Sequence, residues 1–155
     1  MKVDDSEILY TIRRSMVARI ATLSRNGRPS INPLYFVSVS GNIWFGTDDW
    51  TLAARNAMAD SRVSVLFELE KEPVHQRVLR IRGLAGISTD QKMLRSYSLR
   101  VAFKYILTPA GIRNALAHIR QIPLKLTYNK QGAQKGSPCI IVVTPEQAEF
   151  LGICS

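Results

Sequence analysis

The sequence predicts an α+β fold, mainly β, in which an antiparallel sheet curls towards a barrel and a few helices pack against it. Three observations carry this expectation. Short alternating strands are separated by tight-turn signals, "RNGR" at 25–28 and "SGN" at 40–42. A long basic strand, "RVLRIRGLAG", places Gly83 and Gly86 where a barrel wall must bend. Neither βαβ alternation nor a glycine-rich dinucleotide fingerprint occurs.

The elements follow in order. "DDSEILYTIRRSM" opens with a helix capped by Asp4 or Asp5, with Ile8, Ile12 and Met16 on one face and Leu9 beside them. Residues 17–24 form a first strand and 29–39 its return. Pro29 and Pro33 lack an N–H, so that strand must run at an edge or a bulge. Residues 43–47 form a third strand that completes an antiparallel meander with the first two. Asp48 or Asp49 caps a short helix over 50–59, whose inner face is Leu52, Ala53, Asn56 and Ala57.

Val63, Val65 and Phe67 alternate along a fourth strand over 61–70, which "KEP" at 71–73 turns into a fifth over 75–88. Thr89 or Asp90 caps a helix over 91–106 with Met93, Tyr97, Val101 and Tyr105 at four-residue spacing. Thr108 and Pro109 start another helix, over 108–121. Late strands at 124–128 and 139–145 flank a Gly/Lys loop, and 148–153 is read as a last edge strand. The whole, 155 residues, is read as a single domain.

Charge is lopsided. Residues 1–76 hold nine basic and nine acidic side chains, residues 77–135 hold twelve basic and one acidic, and residues 136–155 hold two acidic and none basic, summing to +9. A basic segment of this kind attracts anions, or serves as a solvated face that keeps the protein soluble. Cys139 and Cys154 sit in no metal-spaced pair and read as free buried thiols; His75 and His118 are isolated, so no metal site is assigned. No apolar run is long enough for a membrane helix, and the acidic start "MKVDDSEILY" is a poor signal peptide. The expected compartment is the cytoplasm, with no membrane partner.

The order of motifs "RIATLSRNGRPSINPLYF…IWFGTDDWTLAARNAMADSRVSVLF…VLRIRGLAG" resembles the FMN-binding split β-barrel group, the pyridoxamine 5′-phosphate oxidase-like proteins. Matching positions include Ala21, Thr22, Gly27, Pro29, Pro33, Phe36, Phe45, Thr47, Asn56, Asp60, Arg62, Val63, Arg80, Gly83 and Ala85. The likeness is strongest over residues 17–88. It implies a six-stranded antiparallel split β-barrel flanked by helices, a homodimer, and FMN held at the subunit interface for redox chemistry on a small-molecule substrate. Some members of the group hold a deazaflavin with an acidic tail, and some hold haem.

The resemblance also implies a site. The strand carrying Asn32, Pro33, Leu34, Tyr35 and Phe36 lies along the flavin ring and ribityl chain. Gly46 and Thr47 are the matching strand end, and Thr51 stands where a phosphate-binding hydroxyl is expected, at a helix start that favours anions. The group's basic clamp would fall at Leu52 and Ala53, its strand arginine at Ile31, its later lysine at Phe36 and its ring-contacting glutamine at Val78. Charge-assisted hydrogen bonds are each worth about 1.5–3 kcal/mol, so their joint loss calls for replacements.

Arg55, one helical turn beyond Leu52, is the first replacement candidate, followed by Arg28, Arg80 and Arg82; the alternative for Arg55 is a solvated helix residue, and for Arg80 and Arg82 an outer barrel face. Trp50 is a candidate to stack on a ring from the neighbouring subunit, its alternative being a core or interface aromatic. No side chain stands out as a general acid or base. The Trp and basic residue expected of a true pyridoxamine phosphate oxidase near the C-terminus are absent from "FLGICS". The alternative readings are a deazaflavin or haem protein, or a non-catalytic binding module with a degenerate site. Nucleic acid is a lesser candidate partner, because the basic residues lack the aromatic interleaving of a single-strand platform.

Overall fold

The computed structural model describes residues 5–68, 77–106 and 136–152. The chain opens with α1 (Ser6–Arg14), followed by β1 (Ala18–Leu23), β2 (Pro29–Leu34), β3 (Phe36–Val39), β4 (Asn42–Asp48), α2 (Leu52–Ala59), β5 (Arg62–Phe67), β6 (Arg77–Ser88), α3 (Gln91–Val101) and β7 (Pro138–Gly152). A π-helical turn, Ala102–Ile106, continues α3. The expected helix at 108–121, the strand at 124–128, His75, His118 and Cys154 lie outside the described residues.

The strands form one antiparallel sheet in the order β2-β1-β5-β6-β7-β4-β3. The return strand expected over 29–39 is two strands, and among the described residues there are seven strands where the resemblance implied six. Up to Leu34 it pairs with β1; from Phe36 it pairs with β4. The first three strands therefore do not form one meander: β4 has β3 and β7 as neighbours. Among the described residues β2 and β3 are the two edges of the sheet, yet they are consecutive in the chain, joined through Tyr35. A sheet whose two edges share one junction must curl back on itself, and this is the split barrel. Pro29 and Pro33 sit on the edge strand β2, where a missing N–H is tolerated.

Turn chemistry sets the registers. Ser40 and Gly41 both have positive φ, 50° and 82°, so the two-residue β3–β4 connection has the twist that hairpins favour. The two late strands expected at 139–145 and 148–153 are one fifteen-residue strand, β7. Pro145 does not end it, because the register against β6 shifts between Arg82 and Gly83, opposite that proline. Gly83 is required there, since a Cβ would run into the Thr144 carbonyl.

Phe36, Phe45 and Phe67 meet inside the curl, with the Phe36 ring edge-on to Phe67 at 5.1 Å. Ile20, Ile43, Val65, Leu79, Ile81, Ile141 and Val143 complete the wall. Two helices close the core. α1, capped by the Asp5 carboxylate accepting from the Glu7 N–H at 3.0 Å, contributes Ile8 and Ile12. It stops at Arg14, so Met16 lies beyond it and is exposed rather than on its inner face. α2 contributes Ala53 and Ala57, and Leu52 points outward instead of inward.

Candidate functional site

The corner between β4 and α2 is built by hydroxyls and amides. Thr51, not Asp48 or Asp49, is the N-cap of α2. Its hydroxyl accepts from the Ala54 N–H at 3.4 Å and donates to the Asp48 carbonyl at 2.8 Å, while the Thr47 hydroxyl donates to it at 3.0 Å. The strand end Gly46–Thr47 is thereby tied to the helix start. Among the described residues no acceptor is bonded to the amides of Leu52 and Ala53, the first two donors of the helix. Anions are favoured at such a terminus.

No basic side chain arises from this corner. Leu52 is exposed and Ala53 is buried in the core, so neither acts as a clamp. Asp49 is engaged by Ser137, whose N–H donates to its carboxylate at 3.0 Å. Gly136 lies so close that a Cβ would strike both Asp49 and the half-exposed Trp50. Arg55 is exposed and shares a cleft of about 530 Å³ with Ser24, Arg25, Asn26, Leu52 and Asn56. Arg25 and Arg55 form no ion pair among the described residues. Inside, the Asn56 amide donates to the buried Thr22 hydroxyl at 3.1 Å, fixing α2 against β1.

The strand expected to line a ring divides by face. Asn32 is half-buried and its carbonyl accepts from Ser30 at 3.0 Å; Leu34 packs against the core; Pro33 and Tyr35 are exposed. The Phe36 side chain is wholly in the core, and its backbone N–H and carbonyl both meet the Tyr105 hydroxyl, at 3.3 and 3.0 Å. The Tyr97 hydroxyl donates to the Tyr35 carbonyl at 3.2 Å, and its ring fills the space a Cβ on Gly46 would occupy. α3 and its π-helical turn therefore lay two tyrosines along the backbone strip Tyr35–Phe36, one of them also over Gly46. The four-residue spacing of Tyr97 and Tyr105 marked them as one face; that their hydroxyls serve strand backbone had no sequence signal. Burial raises the pKa of both phenols, so they act as neutral donors.

Arg80 and Arg82 project from the face of β6 opposite Leu79 and Ile81, and both grip one oxygen of Glu149, at 2.6 and 2.8 Å. Hydrogen bonds from the two guanidinium groups hold the Glu149 carboxyl below the usual carboxylate range. Cys139 is buried and free, and burial, with help from Asp49 and Asp48, pushes its thiol up to about 11; it is no nucleophile at neutral pH.

A family model for pyridoxamine 5′-phosphate oxidase matches residues 5–152. No curated protein matches the sequence significantly. Similar solved structures include a conserved hypothetical protein of Mycobacterium tuberculosis, 18% identical with TM-score 0.71, covering 98% of this chain and 86% of that one. An F420 reductase is 22% identical with TM-score 0.62, covering 90% and 94%. A haem-storage protein of Vibrio cholerae is 16% identical with TM-score 0.65, covering 98% and 95%. These likenesses concern the fold; the match over nearly the whole sequence goes further, and the chain belongs to the pyridoxamine 5′-phosphate oxidase family.

Proposed function

We propose that the chain binds FMN and works as a flavin-dependent oxidoreductase on a small-molecule substrate, as a homodimer. The observation that carries this reading is the corner where Thr47 meets Thr51 at the start of α2, with the amides of Leu52 and Ala53 still open to an acceptor. These donors suit a phosphate, and the nearby Arg55 supplies the positive charge that Leu52 and Ala53 lack. When bound, FMN supplies the electron acceptance; the protein's part is to hold the phosphate, orient the ring along Asn32–Tyr35 and keep water away. The exposed apolar residues Ile31, Tyr35, Leu52 and Leu84 offer a surface that a second copy would cover.

A deazaflavin is the second reading, and one observation favours it. The cleft beside α2 carries Arg25 and Arg55 with no carboxylate paired to either among the described residues, which suits an acidic tail better than a compact phosphate. The absorption spectrum of the purified protein, followed by titration with FMN and with deazaflavin, separates the two. Saturable FMN binding with a quenched or shifted flavin band supports the first. Deazaflavin binding alone supports the second, a Soret band points to haem, and no uptake of any of them defeats the reading.

A further inference from the structure

We propose that a second cleft, between α1, the β3–β4 hairpin and the end of α3, binds an amphipathic carboxylate: an apolar chain with one anionic head, of the fatty-acid type. This inference goes beyond the flavin reading and does not depend on it. The cleft measures about 640 Å³, within the range of small-molecule sites. Leu9 and Phe103 give it an apolar side, and Phe103 is 67% exposed. Arg13 from α1, Arg100 from α3 and Lys104 from the π-helical turn give it three cations, and none of the described lining residues is acidic. Among the described residues none of the three has a carboxylate within ion-pair distance; Arg100 reaches only the Ser96 hydroxyl, at 3.3 Å.

Lys104 is the centre of the argument. Its ammonium lies 3.4 Å from the centroid of the Phe36 ring and 3.4 Å from the Phe36 carbonyl, partly withdrawn from water and without a counter-charge among the described residues. That arrangement is costly, and burial lowers its pKa to about 8. A carboxylate head placed between Lys104 and the two arginines supplies the missing charge, while its chain covers Phe103 and Leu9. The groups facing Lys104 are Tyr105 and Phe36 around its ammonium, Arg13 across the cleft and Arg100 one turn back. The π-helical turn, a rare geometry that recurs at functional sites, is the element that presents Phe103 and Lys104 to the cleft.

Calorimetric titration of the full chain with decanoate, below its micelle-forming concentration, and with decanol as the uncharged control tests this. The expected result is one saturable decanoate site at pH 7, with decanol weaker by about tenfold or more, the worth of one charge-assisted contact. Affinity falls as pH rises above 8, because the free amine no longer attracts the head. Arg13→Gln and Arg100→Gln, both exposed positions, each weaken decanoate by about tenfold, and Lys104→Met abolishes the pH dependence. Thr51→Val leaves decanoate binding unchanged, so loss of the flavin site is distinguishable from loss of this one. Equal binding of decanol, several weak sites per chain, or no saturable binding overturns the proposal.

Discussion

The Tyr97 hydroxyl donates to the carbonyl of Tyr35 across 3.2 Å while its ring rests on Gly46, so one side chain from α3 covers part of the strip that a flavin ring would use. Tyr97→Ala uncovers that strip. FMN is expected to bind more tightly by roughly 1 kcal/mol, the worth of an aromatic contact no longer displaced. Tyr97→Phe keeps the ring and leaves the affinity as it was. Fluorescence titration of the two variants checks this, and weaker binding by Tyr97→Ala would instead make the tyrosine a wall of the site.

Thr51 serves the helix and the proposed phosphate site together. Thr51→Val removes the cap and is expected to cost about 1 kcal/mol of stability, read from urea unfolding. The same change is expected to weaken FMN by about tenfold, since the hydroxyl that ties Thr47 and Asp48 to the helix start, and so holds the open amides of Leu52 and Ala53 in place, is lost. Thr51→Ser retains the hydroxyl and restores both. Loss of stability with unchanged FMN affinity would confine Thr51 to capping.

Asp60 and Arg62 give a pH signature. The Arg62 side chain donates to the Asp60 carboxylate at 3.0 and 2.7 Å and its backbone N–H adds a third bond, holding the carboxyl at about 2 instead of 3.8. A carboxylate with a depressed folded pKa stabilises the protein above its unfolded value and loses that contribution as pH falls towards the folded one. Asp60→Asn is therefore expected to lower stability slightly at pH 7, with the difference closing as pH falls through about 2. Both groups are solvent-exposed, so the effect is small. Urea melts across that range check it; a gap between the two proteins that persists at the acid end contradicts the assignment.

Gly83 and Gly86 look alike in the sequence and differ in the fold. A Cβ at Gly83 meets the Thr144 carbonyl at the register shift, whereas one at Gly86 meets nothing. Gly83→Ala is expected to cost about 1–3 kcal/mol and Gly86→Ala less than about 0.5 kcal/mol, by urea unfolding.

Local pattern made much of this legible. Alternation marked Val63, Val65 and Phe67 as inward, and Pro33 marked an edge, because side-chain period and a missing N–H are properties of single residues. The division at Tyr35 was hidden: nothing in "PLYF" states that Phe36 changes partner, since curling is decided by the whole sheet. The continuation of the 139–145 strand past Pro145 was hidden, because the shift that absorbs the proline arises on β6, far away in sequence. At the candidate site, Thr51 was singled out by the resemblance alone; as the cap of α2 it was missed in favour of Asp48 or Asp49, because all three side chains can accept from a helix-start amide. Glu149 as the shared partner of Arg80 and Arg82 was not legible, since only the pairing of β6 with β7 brings them together.

Among the described residues Tyr35 belongs to no strand pairing, although the chain passes through it from one rim of the sheet to the other. Cleaving the backbone there would break no rung of any ladder, yet it would untie the hoop. The cut molecule would keep its secondary structure while its wall gaped open, and so the peptide linkage at a single exposed tyrosine does the work that, in a fully sealed cylinder, a seventh row of interstrand bonds would share.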